Sequence, residues 1–408
     1  MGLLKPARHC GARMPDVRLL EVRNTYKWGG GPDKTILLSA EQHNKARVLP
    51  VVAYVRDAYD REFQIAEKAR SKNLTFYEIE ERGKFDPRVL FRLREIVREH
   101  DINLVHSHDY KSDFFAYILA RWLSPKPVRL ISTAHAWVIL GMKGEFYRRA
   151  DLLLMRRFDH LLAVSHATKT EMVAGGVPAD RITVLHNAID TEEWSPGRSD
   201  SSFREELGLK GAFPVIGYVG RVTPEKDLVT WLQASARVAR RFPNARFVVV
   251  GDGRGSSTQT ELEALASDLG IREQVIFPGY RSKLQPVYGA FDIFMLASRR
   301  EGLPNCILEA MAMGIPIVST DVAGAKELVN DQETGFILSQ GDVEGLTQAL
   351  MRLSEDMVLR KQMGDASRLR IERHFSFRCR LEKIEDLYEQ VVMSGQPRTK
   401  LVSLSEKL

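Results

Sequence analysis

Short apolar runs alternate with longer amphipathic stretches along most of this 408-residue chain. The alternation is typical of parallel β-strands joined by crossover helices, because such strands are covered by helices on both faces. It halts at a turn-rich segment, DTEEWSPGRSDSS at 190–202, and then begins again. The sequence therefore predicts an α/β protein with two doubly wound, Rossmann-like domains.

The loops after the predicted strands are where we expect ligands to bind, since open parallel sheets bind them outside the carboxyl ends of their strands. The domains are predicted at 14–195 and 200–377, and they are expected to face each other across a cleft that holds the site. The predicted strands are 17–22, 48–55, 102–108, 129–135, 160–165 and 181–187, followed by PVIGYVG, ARFVVVG, QVIFPG, DIFMLAS and PIVST.

The composition fits folded domains in a reducing compartment. Hydrophobic residues make up 44% and charged residues 27% of the chain, which excludes a disordered or collagen-like protein. The three cysteines, Cys10, Cys306 and Cys379, are too widely spaced for a disulfide framework or a zinc site. No signal peptide or 18-residue apolar span is visible, so the cytoplasm is the expected location. Residues 1–13 and 394–408 are expected to be flexible tails.

The net charge of +6 comes entirely from the first half of the chain. Residues 1–200 carry 32 basic and 26 acidic side chains, whereas residues 201–408 carry 27 of each. Between Arg121 and Arg157, eight basic residues accompany two acidic ones. The distribution favours one local cationic surface and does not favour a nucleic-acid partner.

Part of that surface is GEFYRRADLLLMRRF at 144–158, which is predicted to be an amphipathic helix. Arginines on such a helix usually form the solvated edge of a domain. Arginines interleaved with phenylalanine and leucine also suit docking on an anionic membrane surface. The sequence leaves both interpretations open.

Three consecutive glycines, Gly29, Gly30 and Gly31, follow the first predicted strand, and a helix is predicted to begin near Asp33. Glycine lets the backbone turn sharply and approach a ligand, and the free amides of a helix start attract anions. The loop is therefore a candidate phosphate contact. A tight connection without a ligand explains the same glycines.

A second glycine-rich segment, VVVGDGRGSS at 248–257, is similar to the fingerprint of dinucleotide-binding domains. The match is incomplete, because two serines follow Gly251, Gly253 and Gly255, and no acidic residue ends the next strand at the distance expected for a ribose. An NAD site is therefore not favoured.

Two cations follow the first strand of the second domain. The segment GYVGRVTPEKD at 217–227 places Arg221 and Lys226 five residues apart, just past the predicted strand end. The planar fork of arginine and the point charge of lysine can hold a diphosphate together. The alternative is that both are ordinary solvated surface charges.

Two glutamates lie eight residues apart in SRREGLPNCILEAMAMGIPIVST at 298–320. Glu301 precedes a predicted helix, and Gly302 and Leu303 offer backbone amides at its start, where negative charge is favoured. Glu309 lies within the helix, where its carboxylate can accept hydrogen bonds from two neighbouring hydroxyls. The alternative is a pair of unrelated charges on a loop and a helix surface.

These segments together resemble the family 4 retaining glycosyltransferases of the GT-B fold. The resemblance is carried by VSHATKTEM, VLHNAID, GRVTPEKD, VVVGDG, FPGYR and the highly specific EGLPNCILEAMAMGIP, and it spans about residues 17–392. It implies transfer of a sugar from a nucleotide-sugar, with a UDP-sugar favoured, to a sugar, glycolipid or lipid-linked acceptor. It also implies retention of anomeric configuration and a helix at 378–393 that crosses back onto the first domain.

The resemblance gives roles to residues of the second domain. Arg221 and Lys226 would neutralise the donor diphosphate. Glu309 would bind the ribose hydroxyls, and Glu301 would hold hydroxyls of the transferred sugar. The backbone of Arg281 would meet the nucleobase. The remaining donor contacts would be backbone amides, those of Gly302 and Leu303.

In the first domain the resemblance points to His135, at the end of the fourth predicted strand. An isolated histidine is more often structural, but the resemblance favours His135 as a contact to the donor sugar and the reaction centre. His108 and Asp109, after the preceding strand, are weaker acceptor-side candidates. Gly30 and Gly31 match the family's glycine loop near the phosphates.

Several further expectations concern metals, partners and pathway. The chain has no Asp-x-Asp motif, and no histidine–carboxylate cluster is evident from ligand spacing, so no metal is expected to be required. Synthesis of a cell-envelope polysaccharide, lipopolysaccharide or glycolipid is the expected context, with a peripheral position on the inner face of the plasma membrane as one possibility. The alternative function is a non-catalytic GT-B subunit that binds a sugar nucleotide or a partner enzyme.

Overall fold

The computed structural model describes residues 16–27, 29–83, 85–135, 141–198, 202–251 and 257–394. The chain divides into two compact units. The first contains residues up to 162, 172–183 and 381 onward, and the second contains 163–171 and 184–380. Of the tails predicted at the two ends of the chain, only Ser394 lies within the described residues.

A seven-stranded sheet forms the centre of the first unit, in the order β3-β2-β1-β4-β5-β6-β7. Strand β1 pairs in parallel with both β2 and β4. Its apolar side chains are fully buried, because helices cover such a sheet on both faces. The strands are β1 Val17–Asn24, β2 Val48–Asp57, β3 Phe76–Glu81, β4 Leu104–Ser107, β5 Arg129–Ala134, β6 His160–Ala163 and β7 Ile182–Val184.

The helices between these strands are α1 Gly31–Gln42, α2 Ile65–Ser71, α3 Pro87–Glu99, α4 Tyr110–Ile118, α5 Gly141–Met155 and α6 His166–Ala174. Helix α5 corresponds to the helix predicted at 144–158, but it begins and ends three residues earlier. The amides of Arg157 and Phe158 bond the carbonyls of Leu154 and Met155, so a tight turn closes the helix before β6. None of the described helices is both long enough and apolar enough to cross a bilayer.

A six-stranded sheet forms the centre of the second unit, in the order β10-β9-β8-β11-β12-β13. Each pair of neighbouring strands in this sheet runs parallel. The strands are β8 Val215–Val219, β9 Arg246–Val250, β10 Val275–Gly279, β11 Ile293–Leu296, β12 Ile317–Thr320 and β13 Gly335–Leu338. The helices are α7 Ser202–Glu206, α8 Leu228–Arg241, α9 Ser257–Asp268, α10 Gln285–Gly289, α11 Asn305–Ala312, α12 Ala325–Leu328, α13 Val343–Glu355 and α14 Met357–His374. The last helix, α15 Phe377–Met393, belongs to the first unit from residue 381 onward.

Two strands were not predicted from the sequence, and both lie at an edge of a sheet. Strand β3 reads FYEIEE and is only partly buried, so its charges interrupt the apolar run. Strand β13 begins at Gly335, where a Cβ would overlap the carbonyl oxygen of Ile317 in the neighbouring strand. The charges of β3 and the four-residue length of β13 are why a search for continuous apolar runs misses these two strands.

Residues of α15 from 381 onward make a set of polar contacts within the first unit. His43 Nδ1 lies 2.9 Å from Glu385 Oε1, and Arg47 donates to Asp386 at 2.7 Å and to both oxygens of Glu389 at 2.7 and 2.6 Å. Bidentate arginine–carboxylate pairs fix orientation as well as distance. The helix is thereby attached where α1 ends.

Candidate functional site

Close backbone packing marks the carboxyl ends of neighbouring strands in the second unit. The amide of Gly251 bonds the carbonyl of Gly279 at 3.2 Å, and a Cβ on Gly251 would overlap the carbonyl oxygen of Gly220. Sheet packing therefore requires the first glycine of VVVGDG without any dinucleotide. Gly253 and Gly255 lie outside the described residues.

The two predicted diphosphate cations lie in the loop after β8 and differ in exposure. The Arg221 side chain is 56% exposed and contacts Glu225 at 3.6 Å. The Lys226 side chain is only 13% exposed, and its Nζ donates to Glu301 Oε1 at 2.6 Å. The fold thus leaves Arg221 accessible and joins Lys226 to a residue 75 positions later in the chain.

Asp227 holds the turn that carries Lys226. Its φ is +47°, in the left-handed region that aspartate tolerates better than most residues. Its carboxylate accepts from the amide of Thr230 at 3.3 Å and so caps α8, and Arg299 donates to it at 2.8 Å. A sharp, capped turn therefore fixes the backbone next to the lysine.

Glu301 is held from two sides. In addition to Lys226, the hydroxyl of Ser298 donates to Glu301 Oε1 at 2.8 Å. Ser298 is itself buried after β11, where its carbonyl accepts from the hydroxyl of Thr320 at 2.6 Å. The carboxylate is therefore oriented by the ends of three strands, those of β8, β11 and β12.

The lack of a side chain at Gly324 allows the backbone of Gly302 and Leu303 to pack closely against it. Gly324 has φ +75°, and a Cβ there would overlap the carbonyl oxygen of Gly302 and lie 2.9 Å from the Cα of Leu303. The backbone proposed to meet the donor is thus packed against a second loop. The sequence analysis did not identify Gly324, because a glycine after a strand is common and its neighbour is set only by the fold.

Glu309 lies on α11 with a tyrosine partner that the sequence analysis did not identify. The hydroxyl of Tyr288 donates to Glu309 Oε2 at 2.7 Å, and Glu309 is 8% exposed. Burial raises the pKa of Tyr288 well above its usual value, and the nearby Glu309 carboxylate adds to that rise, so the tyrosine stays a proton donor. Trp194 packs edge-on against Tyr288 at 5.7 Å and holds its ring.

Arg281 is engaged by its own unit. Its guanidinium donates to the carbonyl of Pro278 at 2.7 Å and to Glu206 at 2.6 Å, and it lies over the ring of Phe203 at 5.7 Å. These contacts fix the loop after β10. The side chain therefore supports the backbone that is expected to meet the base.

In the first unit, three histidines at the ends of β4 and β5 come together. His135 follows β5, the fifth strand in chain order and not the fourth, because β3 was not predicted. His108 Nδ1 lies 3.4 Å from His135 Nε2, and the rings of His106 and His108 are 4.1 Å apart. The neighbouring strands place these rings side by side although the residues are up to 29 positions apart.

A buried glutamate lies behind the histidines. Glu21, in the middle of β1, is 2% exposed and its Oε2 lies 2.5 Å from His108 Nε2. Burial would raise the pKa of Glu21, but His106 and His108 hold that pKa well below its usual value. Burial and the neighbouring His106 lower the pKa of His108 to about 4, against the opposing effect of Glu21. Near neutral pH this pair is an ionised carboxylate and a neutral imidazole.

The glycine loop already has an anion of its own. Helix α1 begins at Gly31, two residues before the predicted start. The carboxylate of Asp33 accepts from the amide of Gly30 at 2.6 Å and from Arg23 at 2.9 Å. Gly29 has φ +73°, and a Cβ there would lie 2.6 Å from Ile65, so that glycine is required by packing alone.

Asp109 has a structural task at the start of α4. Its carboxylate accepts from the amides of Lys111 and Ser112 at 3.0 Å each, and from the amide of Asn24 at 2.9 Å. These contacts cap the helix and tie it to the end of β1. The carboxylate thus accepts hydrogen bonds from three backbone amides.

The structure assembles two groups of histidine and carboxylate that ligand spacing in the sequence did not indicate. Among the described residues, the ligand atoms lie within 4.8 Å of one another in two sets, Glu21–His106–His108 and His166–His186–Glu327. In the second set, Glu327 accepts from the amide of His166 at 2.9 Å and lies 2.6 Å from His186 Nε2. Hydrogen bonds within each group account for its arrangement.

A buried aspartate lies beneath the ends of β4 and β5. Asp113 on α4 is fully buried and accepts from the hydroxyl of Ser107. Burial, followed by the neighbouring Asp151 carboxylate, raises the pKa of Asp113 well above its usual value. The two acids therefore favour a shared proton over two charges.

Residues 33–193 match the Glycosyltransferase Family 4 family, and residues 213–356 match Glycosyl transferases group 1. The chain is 32% identical over 247 residues to the lipopolysaccharide core biosynthesis glycosyltransferase LpsE of Rhizobium meliloti, covering 59% of this chain and 69% of that protein.

A second relative and a solved structure agree with this match. The chain is 27% identical over 319 residues to UDP-Gal:alpha-D-GlcNAc-diphosphoundecaprenol alpha-1,3-galactosyltransferase of Escherichia coli, covering 76% of this chain and 81% of that protein. The crystal structure of Anabaena HepE in complex with UDP and glucose aligns with a TM-score of 0.80 at 20% identity, covering 92% of this chain and 100% of that chain.

Replacing Asp113 with asparagine is expected to change the pH dependence of stability. Because its pKa is raised in the folded state, the aspartate favours folding at low pH and opposes it increasingly as the pH rises above about 4, the unfolded value. Asp113→Asn removes this pH-dependent destabilisation. The free energy of unfolding of the variant should therefore fall less than that of the wild type between about pH 5 and pH 8. Urea unfolding at both pH values measures this. An equal fall in both proteins would contradict the raised pKa.

Proposed function

The chain belongs to the family 4 glycosyltransferases, and we propose that it transfers a sugar from a UDP-sugar to an acceptor with retention of configuration and without a metal ion. It is a transferase with two Rossmann-like domains of the GT-B class. The donor base, the stereochemistry, the metal independence and the acceptor are the proposed parts.

The pairing of Lys226 with Glu301 is the observation that carries the proposal. Both side chains are nearly buried, at 13% and 12% exposure, and a buried charge that loses its partner is costly. An anion that takes up Lys226 must therefore bring a new partner for Glu301. A sugar diphosphate brings both, because its phosphate oxygens accept from the lysine and its hydroxyls donate to the carboxylate.

The other donor contacts follow from the same region. The accessible guanidinium of Arg221 is suited to bidentate binding of a phosphate. Tyr288 orients Glu309 so that the carboxylate can accept from the ribose hydroxyls. The backbone of Arg281 is proposed to meet the base. The remaining proposed contacts are the amides of Gly302 and Leu303 to the donor sugar or phosphate, and His135 to the transferred sugar. The loop of Gly30 and Gly31 is proposed to contact the phosphates through the amide of Gly31, because the amide of Gly30 donates to Asp33.

We expect a front-face reaction. The bond between the anomeric carbon and the phosphate oxygen breaks, a bond to the acceptor oxygen forms on the same face, and the acceptor proton passes to the leaving phosphate oxygen. Arg221 and Lys226 stabilise the negative charge that develops on that phosphate. Because the acceptor oxygen attacks the anomeric carbon directly in this scheme, Glu301 binds sugar hydroxyls and is not a nucleophile.

Loss of either cation should abolish most of the activity. Arg221→Ala and Lys226→Ala are each expected to lower kcat/KM about 10²- to 10³-fold, the usual cost of a charge-stabilising donor, and to weaken UDP binding measured by calorimetry. Arg237→Ala is the matched control, since Arg237 pairs with Glu344 on the same unit and is 43% exposed. A double variant at Arg221 and Lys226 that binds and turns over normally would disprove the proposed site.

Chelation should leave the rate unchanged. If Arg221 and Lys226 take the place of a divalent cation at the diphosphate, EDTA-treated enzyme should retain its turnover of the UDP-sugar, and added Mg²⁺ should not increase it. Initial rates with and without EDTA measure this directly. Loss of activity that Mg²⁺ or Mn²⁺ restores would contradict metal independence.

The donor and acceptor classes are supported by the relatives. The E. coli relative is named for UDP-galactose and for a lipid-linked sugar acceptor, and the HepE structure contains UDP. We therefore propose a UDP-sugar donor and a sugar, glycolipid or lipid-linked acceptor in cell-envelope glycan synthesis. A panel of UDP-, GDP- and ADP-sugars tests the base. Binding of UDP without turnover of any of them would favour the non-catalytic subunit instead.

The segment 144–158 offers a basis for a peripheral position on the inner face of the plasma membrane. Glu145 accepts from both Arg148 and Arg149, at 2.7 and 2.8 Å, so part of the positive charge is compensated within the helix. Phe146 and Leu153 are 69% and 52% exposed. Exposed apolar side chains beside arginines suit the interface of an anionic bilayer.

Flotation with vesicles tests this position. The protein should float with vesicles of phosphatidylglycerol and phosphatidylcholine, and much less with phosphatidylcholine alone. Phe146→Ser/Leu153→Ser should reduce flotation, whereas Val229→Ser, at an exposed residue of α8 (46% exposed), should not. Absence of binding to the anionic vesicles would exclude the membrane role and leave the segment as a solvated edge.

A further inference from the structure

Glu21, His106 and Tyr388 take no part in the roles given above, yet all three are buried behind His108 and His135. We propose that Glu21 and Tyr388 are positioning residues that fix the proton arrangement and the orientation of His108 and, through it, of His135. This inference rests on the proposed function, because that function assigns His135 as a contact to the transferred sugar. It concerns atoms that are linked by a continuous chain of hydrogen bonds.

The chain begins at the carboxylate of Glu21. Because the carboxylate is ionised, it can only accept, so the Nε2 atom of His108, 2.5 Å away, must carry the proton. In a neutral imidazole the other nitrogen is then a bare acceptor. Glu21 thus selects one of the two tautomers of His108.

The selected tautomer determines what His135 presents. The bare Nδ1 of His108 lies 3.4 Å from Nε2 of His135, and the two rings stack with centroids 5.6 Å apart. Nε2 of His135 must therefore be the donor in that contact. Through His108, the carboxylate of Glu21 thus determines the protonation of Nδ1 and the ring plane of His135, although it does not contact His135.

Tyr388 closes the other end of the chain. Its hydroxyl donates to Glu21 Oε1 at 3.3 Å, which leaves its oxygen to accept from Nδ1 of His106 at 2.6 Å. Nε2 of His106 then accepts from the hydroxyl of Thr133 at 2.7 Å. His106 Nδ1 also lies 3.4 Å from Glu21 Oε2, so these groups form one fully connected buried network, and such a network is rigid.

The tyrosine comes from α15, so the C-terminal helix is part of the support. The contacts of Glu385, Asp386 and Glu389 with His43 and Arg47 hold that helix by its polar side. Tyr388, on the same helix, is fully buried and reaches the histidines. The helix therefore does more than cover the sheet: it supplies one hydroxyl to the group that orients His135.

The experiment uses full-length protein labelled with ¹⁵N at histidine, whose ring nitrogen shifts report the tautomer. The wild type should show His108 protonated at Nε2 and not at Nδ1, with His135 protonated at Nε2. Glu21→Ala should give mixed tautomers at both histidines. Glu21→Gln, whose carbonyl can still accept, should keep the His108 tautomer, and this variant also guards against a folding defect in Glu21→Ala.

Turnover is measured on the same variants. Glu21→Ala should lower kcat about 10- to 100-fold, the usual cost of removing a buried group that orients a functional histidine, with KM for the donor nearly unchanged. Glu21→Gln should recover most of that loss. Tyr388→Phe should lower kcat less than Glu21→Ala and should perturb the His106 signals, whereas Gln390→Ala, at an exposed residue two positions away on α15, should change neither.

The outcomes separate this inference from the proposed function. Unchanged tautomers in Glu21→Ala would overturn the inference whatever the activity. Altered tautomers with normal kcat, in an enzyme that Arg221→Ala inactivates, would also overturn it and leave the proposed function standing. If the wild type turns over no nucleotide-sugar, the proposed function fails, and the tautomers alone then decide whether Glu21 positions the histidines.

Discussion

The parallel order of the strands is the constraint on which the rest of this structure depends. In each sheet the first strand of the unit lies between its second and fourth, and every paired strand that the structure gives runs in the same direction. All carboxyl ends therefore meet at one edge of each sheet. Residues that are far apart in sequence are brought within hydrogen-bond distance there, as Lys226 and Glu301 are in the second unit and Glu21, His108 and His135 are in the first.

At the carboxyl ends of the strands in both sheets, charged side chains are paired with side chains of opposite charge within the protein. Lys226 is paired with Glu301, Arg23 with Asp33, and Arg299 with Asp227. Since a buried charge without a partner is costly, these pairs let the loops fold with their cations in place. They also bear on specificity: a ligand that engages one member of a nearly buried pair must satisfy the other. A ligand with an anion and adjacent hydroxyls meets that condition, whereas inorganic phosphate supplies only the anion.

Two carboxyl groups buried in the first unit, those of Glu21 and Asp113, differ in their charge. Glu21 is ionised beside a neutral His108, whereas Asp113, only a few residues beyond His108, favours its protonated form beside Asp151. Both carboxyl groups are equally buried, so burial alone does not decide their charge. The neighbours do: imidazole N–H groups surround one carboxylate, and a second acid lies beside the other.

The sequence by itself determined the fold class, the family and most of the central strands, because continuous apolar runs report full burial and EGLPNCILEAMAMGIP is a long local motif. It also indicated Arg221, Lys226, Glu301 and Glu309 as residues of interest, although their roles remain proposals. It did not predict β3, whose charges interrupt the apolar run, or β13, which is only four residues long. Only the tertiary structure paired Lys226 with Glu301, set Tyr288 against Glu309, and brought Glu21 and Tyr388, 367 residues apart, to the histidines. Such partners have no local signature, because a hydrogen bond across a sheet depends on which strands are neighbours and not on the spacing of residues along the chain.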